Sequence, residues 1–330
     1  MRIAGADSAP PTAASAPTDA RRAPMSRSHV LSAAALAAVV IASPVELRAQ
    51  EIEPRAYSNA PVGVNFFVGG YAYTRGGIAT DDSLPITNPH LHTSNAVVGF
   101  AHVLDLWGMS AKVDAIVPYT WLSGSAEYQG APLQRIVNGF SDPAFRLSVN
   151  LYGAPALSLP EFASYRQDLI IGASLRVFAP WGQYDASRLV NIGTNRWAFK
   201  PEIGISKAID PWTFEFTAAA TLYTDNNDFY GGNTVSRDPL YSFQGHAIYS
   251  FSNGMWGSLD ATYFTGGRTT LNGTLSADLQ QNWRLGATLA IPVDRRNSVK
   301  LYASSGVSAR TGNNYDLLGL AWQYRWGGGI

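Results

Sequence analysis

The chain has no cysteine, few charges and no net charge over its 330 residues. Without cysteine there is no disulfide framework, no thiolate nucleophile and no Cys-ligated zinc. Charged residues make up 15%, against the roughly 25% usual in soluble domains. A formal net charge of +0 supplies no basic field, so nucleic acid is not an expected partner. His90, His92 and His102 do not form a metal-ligand spacing with carboxylates. No glycine-rich loop precedes a helix, so neither a nucleotide nor any other cofactor is expected. Beyond residue 50 no apolar run reaches the roughly twenty residues of a transmembrane helix.

What is present begins at the front. Residues 1–24 are rich in Ala, Pro and Ser and read as unstructured. Met25 opens a secretory signal layout: a basic start at Arg27, an apolar core from Val30 to Ile41, and a cleavage site at Leu47-Arg48-Ala49. The expectation is translation from Met25, export, and cleavage after Ala49, leaving residues 1–49 as leader and signal and 50–330 as one domain. Removing Arg2, Arg21, Arg22, Arg27, Arg48 and Asp7, Asp19, Glu46 leaves 19 basic and 21 acidic residues in the exported part.

That part alternates. In Arg196 to Ile209, Trp197, Phe199, Ile203 and Ile205 share one face and Ala198, Lys200, Glu202 and Ser206 the other. After Asp210-Pro211, Trp212, Phe214 and Phe216 alternate with Thr213, Glu215 and Thr217. Period two is the strand signature, because successive side chains point to opposite faces. Strands of about ten residues suit a tilted bilayer crossing. About twelve strands are predicted, near 62–75, 93–105, 109–121, 141–153, 167–179, 196–208, 212–224, 240–252, 255–265, 282–291, 298–309 and 315–326. The links alternate short and long, as in outer-membrane barrels with short periplasmic turns and long outer loops. The expected fold is therefore all-β: a single closed antiparallel transmembrane barrel. Two links break the rhythm: Gly153 to Arg166 is long, with LPEFASY as a short amphipathic helix, and Arg310 to Asn314 is short.

Trp107, Trp212, Trp256 and Trp326 fall at expected periplasmic ends, and Trp121, Trp197 and Trp283 at outer ends, as two aromatic girdles. Pro118 and Pro201 cannot donate to a ladder, so each is expected at a bulge or strand end, with a bulge at Pro201.

With the apolar face outside, the inward faces collect Arg75, Lys112, Asp114, Arg146, Arg176, Lys200, Glu202, Glu215, Asp260, Arg284, Lys300 and Arg325, joined by Asn65, Tyr71, Gln244, His246 and Gln323. Mixed signs favour paired charges that staple a narrow lumen, because a lone buried charge is costly. The excess of basic residues favours anionic solutes. Twelve strands lie between small filled barrels and wide porins, so a narrow pore, or one partly plugged by the leader (Gln50 to Pro61) or a loop, is expected. His246 faces Ser258 and Asp260 across neighbouring strands, the ingredients of a barrel hydrolase, but no nucleophile elbow supports that chemistry.

Five runs carry a resemblance. They are YSNAPVGVNF (Tyr57 to Phe66), FSDPAFRLSVNLYGAPAL (Phe140 to Leu157), NIGTNRWAFKPEIGISKAI (Asn191 to Ile209), WTFEFTAAATLYTDNNDF (Trp212 to Phe229) and GGRTTLNG (Gly266 to Gly273). Together they resemble the phenol-degradation MetA-pathway family of outer-membrane barrels. The resemblance implies residence in the outer membrane and uptake of aromatic or other small hydrophobic compounds, with no catalytic residues to transfer. One departure is the end of the chain, where Trp326 is followed by Gly327-Gly328-Gly329-Ile330 rather than closing on an aromatic. The expectation is passive passage of small organic solutes, without cofactor, through a path that includes Tyr71 and Tyr73. The expected partners are outer-membrane lipid, the barrel assembly machinery and the solutes themselves. A His246/Ser258 hydrolase and a sealed structural barrel are the alternatives.

Overall fold

The computed structural model describes residues 52–77, 84, 86–312 and 314–330. The signal segment and Met25 lie outside the described residues. The strands are β1 (Val64–Gly76), β2 (Thr87–Leu106), β3 (Met109–Tyr128), β4 (Ala131–Phe140), β5 (Ala144–Tyr152), β6 (Leu169–Phe178), β7 (Ala198–Ile209), β8 (Trp212–Tyr223), β9 (Asn226–Phe229), β10 (Asn233–Arg237), β11 (Leu240–Ser250), β12 (Trp256–Gly266), β13 (Thr269–Leu271), β14 (Thr274–Leu275), β15 (Gln280–Pro292), β16 (Asn297–Ala309) and β17 (Tyr315–Gly327). Twelve of them close an antiparallel barrel: β1 pairs with β2 on one side and β17 on the other, and β2–β3 pairing completes the ring. Closure leaves no unpaired edge, which is what lets strands cross a bilayer.

Each expected wall strand exists. The outward side chains are large and apolar, among them Phe100, Leu175, Ile203, Phe216, Leu259 and Leu320, all exposed. A continuous belt of this kind is tolerated only against lipid. One barrel end carries tight turns. At Trp107-Gly108 both residues have positive φ, the backbone of a type I′ hairpin; Asp210-Pro211 turns through a cis peptide. The same end holds the one-turn helix α1 (Leu159–Phe162), where Glu161 accepts from the Ser158 N–H at 2.9 Å and hydroxyl at 2.6 Å, half of a capping box.

The loop end is richer than expected. β2 and β3 run on past the wall and, with β4, form a three-stranded extension. β4 and β5 both pair with β3, and the change of partner falls at Pro118: Val117 and Pro118 face Ser141, Asp142 and Pro143, a bulge. The links after β8 and β12 make a separate small sheet in the order β14-β13-β10-β9. Leu84, Leu91, Leu122, Leu189, Val190, Phe229 and Val235 pack together among these loops.

Pro201 departs from the expectation. The β7–β8 pairing lapses at Lys200 and Pro201, but the register on either side is unchanged. The proline opens the ladder without inserting a residue, so this is a gap and not a bulge. On the β6 side Leu175 and Pro201 remain partners.

Candidate functional site in the barrel lumen

The described part of the leader, residues 52–61, lies inside the barrel. Val62 and Gly63 hydrogen-bond to Leu157 O and Val103 O at the turn end, and the chain behind them rises through the lumen. Lys112 Nζ donates to Ala56 O at 2.6 Å. The Arg55 N–H donates to Glu215 Oε2 at 2.6 Å, and its guanidinium reaches Ser250 Oγ at 2.8 Å and stacks 4.9 Å from the Trp256 ring. Glu53 pairs with both Arg146 and Arg176. Ile52 packs where a Cβ on Gly286 would be. A segment that touches inward groups of β2, β3, β5, β6, β8, β11, β12 and β15 can only occupy the lumen. Sequence reasoning allowed for a plug by the leader; it did not single out Glu53, Arg55 or Tyr57. Their one visible signal is a pair of opposite charges, Glu53 and Arg55, in a segment too short to fold alone.

The wall groups form a network. Asp114 and Arg146 are direct partners across β3 and β5, with Nε to Oδ2 at 2.8 Å. Lys200 Nζ lies 3.5 Å from Glu202 Oε2. Ser206 donates to Glu215 at 2.8 Å. Gln244 accepts from the Glu53 N–H at 3.4 Å. Arg284 donates to Ser304 Oγ at 2.7 Å and lies 4.1 Å from the Tyr315 ring centre. Lys300 lies 5.7 Å from the Tyr302 ring, and Arg325 donates to Arg295 O at 2.7 Å. These ion pairs, hydrogen bonds and ring contacts offset part of the desolvation penalty of several kcal/mol that each buried charge carries.

Four expectations about facing are corrected, at Tyr71, Tyr73, Arg75 and Trp256. Tyr71 and Tyr73 are exposed on the outer wall, where their hydroxyls meet Ser94 Oγ at 2.9 Å and His92 Nδ1 at 3.0 Å. Arg75 is exposed beside them. The inner face of β1 is instead apolar: Val64 and Phe66 pack with Ala60, Ala101 and Val103, and Val68 and Ala72 with Ile248, Trp256, Tyr302 and Leu317. An apolar-outside rule therefore assigns this strand the wrong phase. Trp256, expected in a girdle, is buried at 1% and faces the leader. Trp107, Trp121, Trp197, Trp212 and Trp283 are exposed at the barrel ends as girdle residues, joined by Trp181 from a loop.

The lumen thus mixes charged and apolar inward groups: the Asp114, Arg146, Arg176, Lys200, Glu202 and Glu215 cluster lies on β3 and β5–β8, the inner face of β1 is largely apolar, and β11, β12 and β15–β17 interleave Ile248, Trp256, Tyr302 and Leu317 with Gln244, Arg284 and Lys300. On β11 and β12, His246 and Asp260 are direct partners with Nδ1 2.7 Å from Oδ1. Ser258 donates to Asp260 at 3.1 Å, not to the imidazole. A relay needs the base between carboxylate and nucleophile; here the carboxylate stands between the other two. Among the described residues no group of His, Asp and Glu is arranged to hold a metal.

At the loop end the resemblance runs converge. The buried Asp142 carboxylate accepts from the Gly182 N–H at 3.0 Å, the Thr194 N–H at 2.9 Å and the Thr194 hydroxyl at 2.7 Å. Asn226 adds bonds to Thr194 O at 3.1 Å and Asn195 at 3.0 Å. FSDP, NIGTN and TDNND therefore form one stitch that holds the 179–197 link over the β4–β5 change of partner.

A lipid-faced closed antiparallel barrel of twelve strands defines an outer-membrane β-barrel protein. The family model described as "Putative MetA-pathway of phenol degradation" matches residues 73–324, and the chain belongs to that family. Among solved structures it is similar to the COG4313 outer membrane channel from Pseudomonas putida F1, at 18% identity and TM-score 0.69, over 84% of this chain and 100% of that one. The beta domain of the Bordetella autotransporter BrkA (12% identity, TM-score 0.48, 80% and 100% covered) and the transport unit of the autotransporter AIDA-I from Escherichia coli (8%, 0.49, 83% and 93%) are more distant. At these identities the likeness is one of fold. No individually curated protein matches the chain.

Proposed function

We propose that the chain is a passive channel for small organic, aromatic solutes in the bacterial outer membrane, with the leader as its plug. The observation that carries this is the leader's place: the lumen is filled by a segment that belongs to no wall strand and is held by side-chain contacts. Such a segment can leave without breaking the barrel ladder. The mix of apolar and charged inward groups supports an amphipathic cargo, since apolar side chains take a ring and charged ones take its polar substituent. The signal layout supports export with cleavage after Ala49, and the outward apolar belt supports insertion into outer-membrane lipid by the assembly machinery.

The test is single-channel conductance in planar bilayers, with swelling of liposomes in solute, for the native protein and a variant lacking residues 50–61. The expected result is small, gated conductance for the native protein and larger, steadier conductance for the variant. If neither conducts or swells, the barrel is sealed and the channel reading fails.

A further inference from the structure

The plug carries a phenol in a fitted cradle. Tyr57 is 3% exposed, and its ring lies over two glycines, Gly172 on β6 and Gly204 on β7, which are direct strand partners. A Cβ on Gly172 would stand 2.2 Å from Tyr57 Cδ1, and one on Gly204 2.2 Å from Cε2. Both distances are impossible for real atoms, so the wall is hollowed at these two adjacent points to the depth of one flat ring. Ala154 and Ile170 close the edges. At the far end the Tyr57 hydroxyl donates to Glu202 Oε1 at 3.0 Å and lies 3.4 Å from Ser174 Oγ.

Glu202 is itself positioned by Lys200 on the same strand. The glycine floor leaves the depth that a flat ring needs, and the Glu202 side chain stands where the ring's single donor falls. The group that fills it belongs to a detachable segment. The wall groups Gly172, Ser174, Glu202 and Gly204 stay behind when the plug leaves.

We propose that this cradle is a binding site for phenolic solutes, and that Tyr57 occupies it as a ligand built into the chain. A free phenol competes with Tyr57 for the same floor and the same carboxylate. The proposal rests on the channel reading only in that solute must reach the lumen. The tether holds Tyr57 at an effective concentration on the order of millimolar, so the native protein takes free phenol weakly and removal of the Tyr57 ring opens the site.

The experiment measures phenol binding by titration calorimetry to the detergent-solubilised native protein, to Tyr57→Ala, and to Tyr57→Ala/Gly204→Ala. Toluene (ring without donor) and cyclohexanol (donor without flat ring) are the comparators. Tyr57→Ala should bind phenol about tenfold more tightly than the native protein, and about tenfold more tightly than either comparator. The added methyl on Gly204 should remove most of that gain. Should Gly204→Ala fail to give a heat-stable barrel, Gly172→Ala places a methyl in the same hollow. Equal phenol binding by native and Tyr57→Ala protein, equal binding of phenol and toluene, or indifference to the glycine substitution would each overturn the proposal. Binding in detergent needs no passage. Phenol bound by a barrel that does not conduct would keep the site and remove the channel; conductance without binding would do the reverse.

Discussion

Arg146 on β5 lies directly across from Asp114 on β3, and its free face pairs with Glu53 of the leader. The wall pair fixes the guanidinium, and the leader carboxylate docks on a group already in place. Glu53 also pairs with Arg176, so a single carboxylate ties the plug to two strands. Charge-assisted bonds contribute about 2 kcal/mol each. The amide oxygen of Glu53→Gln still accepts from one of the two arginines, so losing the other bond should raise the ratio of unplugged to plugged barrel roughly thirtyfold, read as open-state occupancy in bilayer recordings. Unchanged occupancy would show that the plug is held elsewhere.

Asp142 satisfies three donors of the 179–197 link. Asp142→Ala leaves the Thr194 and Gly182 N–H groups without an acceptor, at about 1–3 kcal/mol. The expected result is rapid proteolysis within 179–197 while the barrel stays folded, as judged by heat-modifiable mobility. A link that remains resistant would mean that Asn226 and the packing of Leu189 and Val190 suffice.

The gap at Pro201 is predicted to be a property of the residue rather than of the register. Pro201→Val restores an N–H at a site where β7 and β8 are already in register. It should slow amide exchange along Ala219 to Thr221 and stabilise the barrel by about 1 kcal/mol. Exchange that stays fast would place the cause in the neighbouring Lys200 and Glu202 pair.

In the turn between β15 and β16, Asp294 accepts from the Arg296 N–H at 2.7 Å and from the Asn297 side chain and N–H at 2.8 Å each. The Arg296 N–H first, then Asn297, hold its carboxyl below the usual carboxylate range. A depressed folded value means stability present above the unfolded value of about 3.9 and lost as pH falls through the folded one. A carboxyl-carbon titration of Asp294 should have its midpoint below that value, and Asp294→Asn should abolish this part of the acid response. A midpoint at or above it would refute the capping role.

Much of the wall is legible in the order of residues alone, because the rule behind it is local. Lys200 and Glu202 face inward and Phe199 and Ile203 outward for the same reason that residues two apart share a face. The rule misassigns β1, where Val64, Phe66 and Val68 face inward although they are apolar, since what they pack against is the leader and the far wall. Trp256 misleads in the same way: its ring covers Arg55 rather than lipid. The β4 extension and the small loop sheet escape notice because their strands are short and lie among turn residues.

By itself the sequence determined the class of fold: alternation, strand length and the rhythm of short and long links are written in neighbouring residues and admit only a closed wall in a bilayer. Tertiary structure alone decided what the wall encloses. Tyr57 meets Gly172, Ser174, Glu202 and Gly204 only after twelve strands have closed. Those contacts span more than a hundred residues of chain, a distance over which no periodicity carries information.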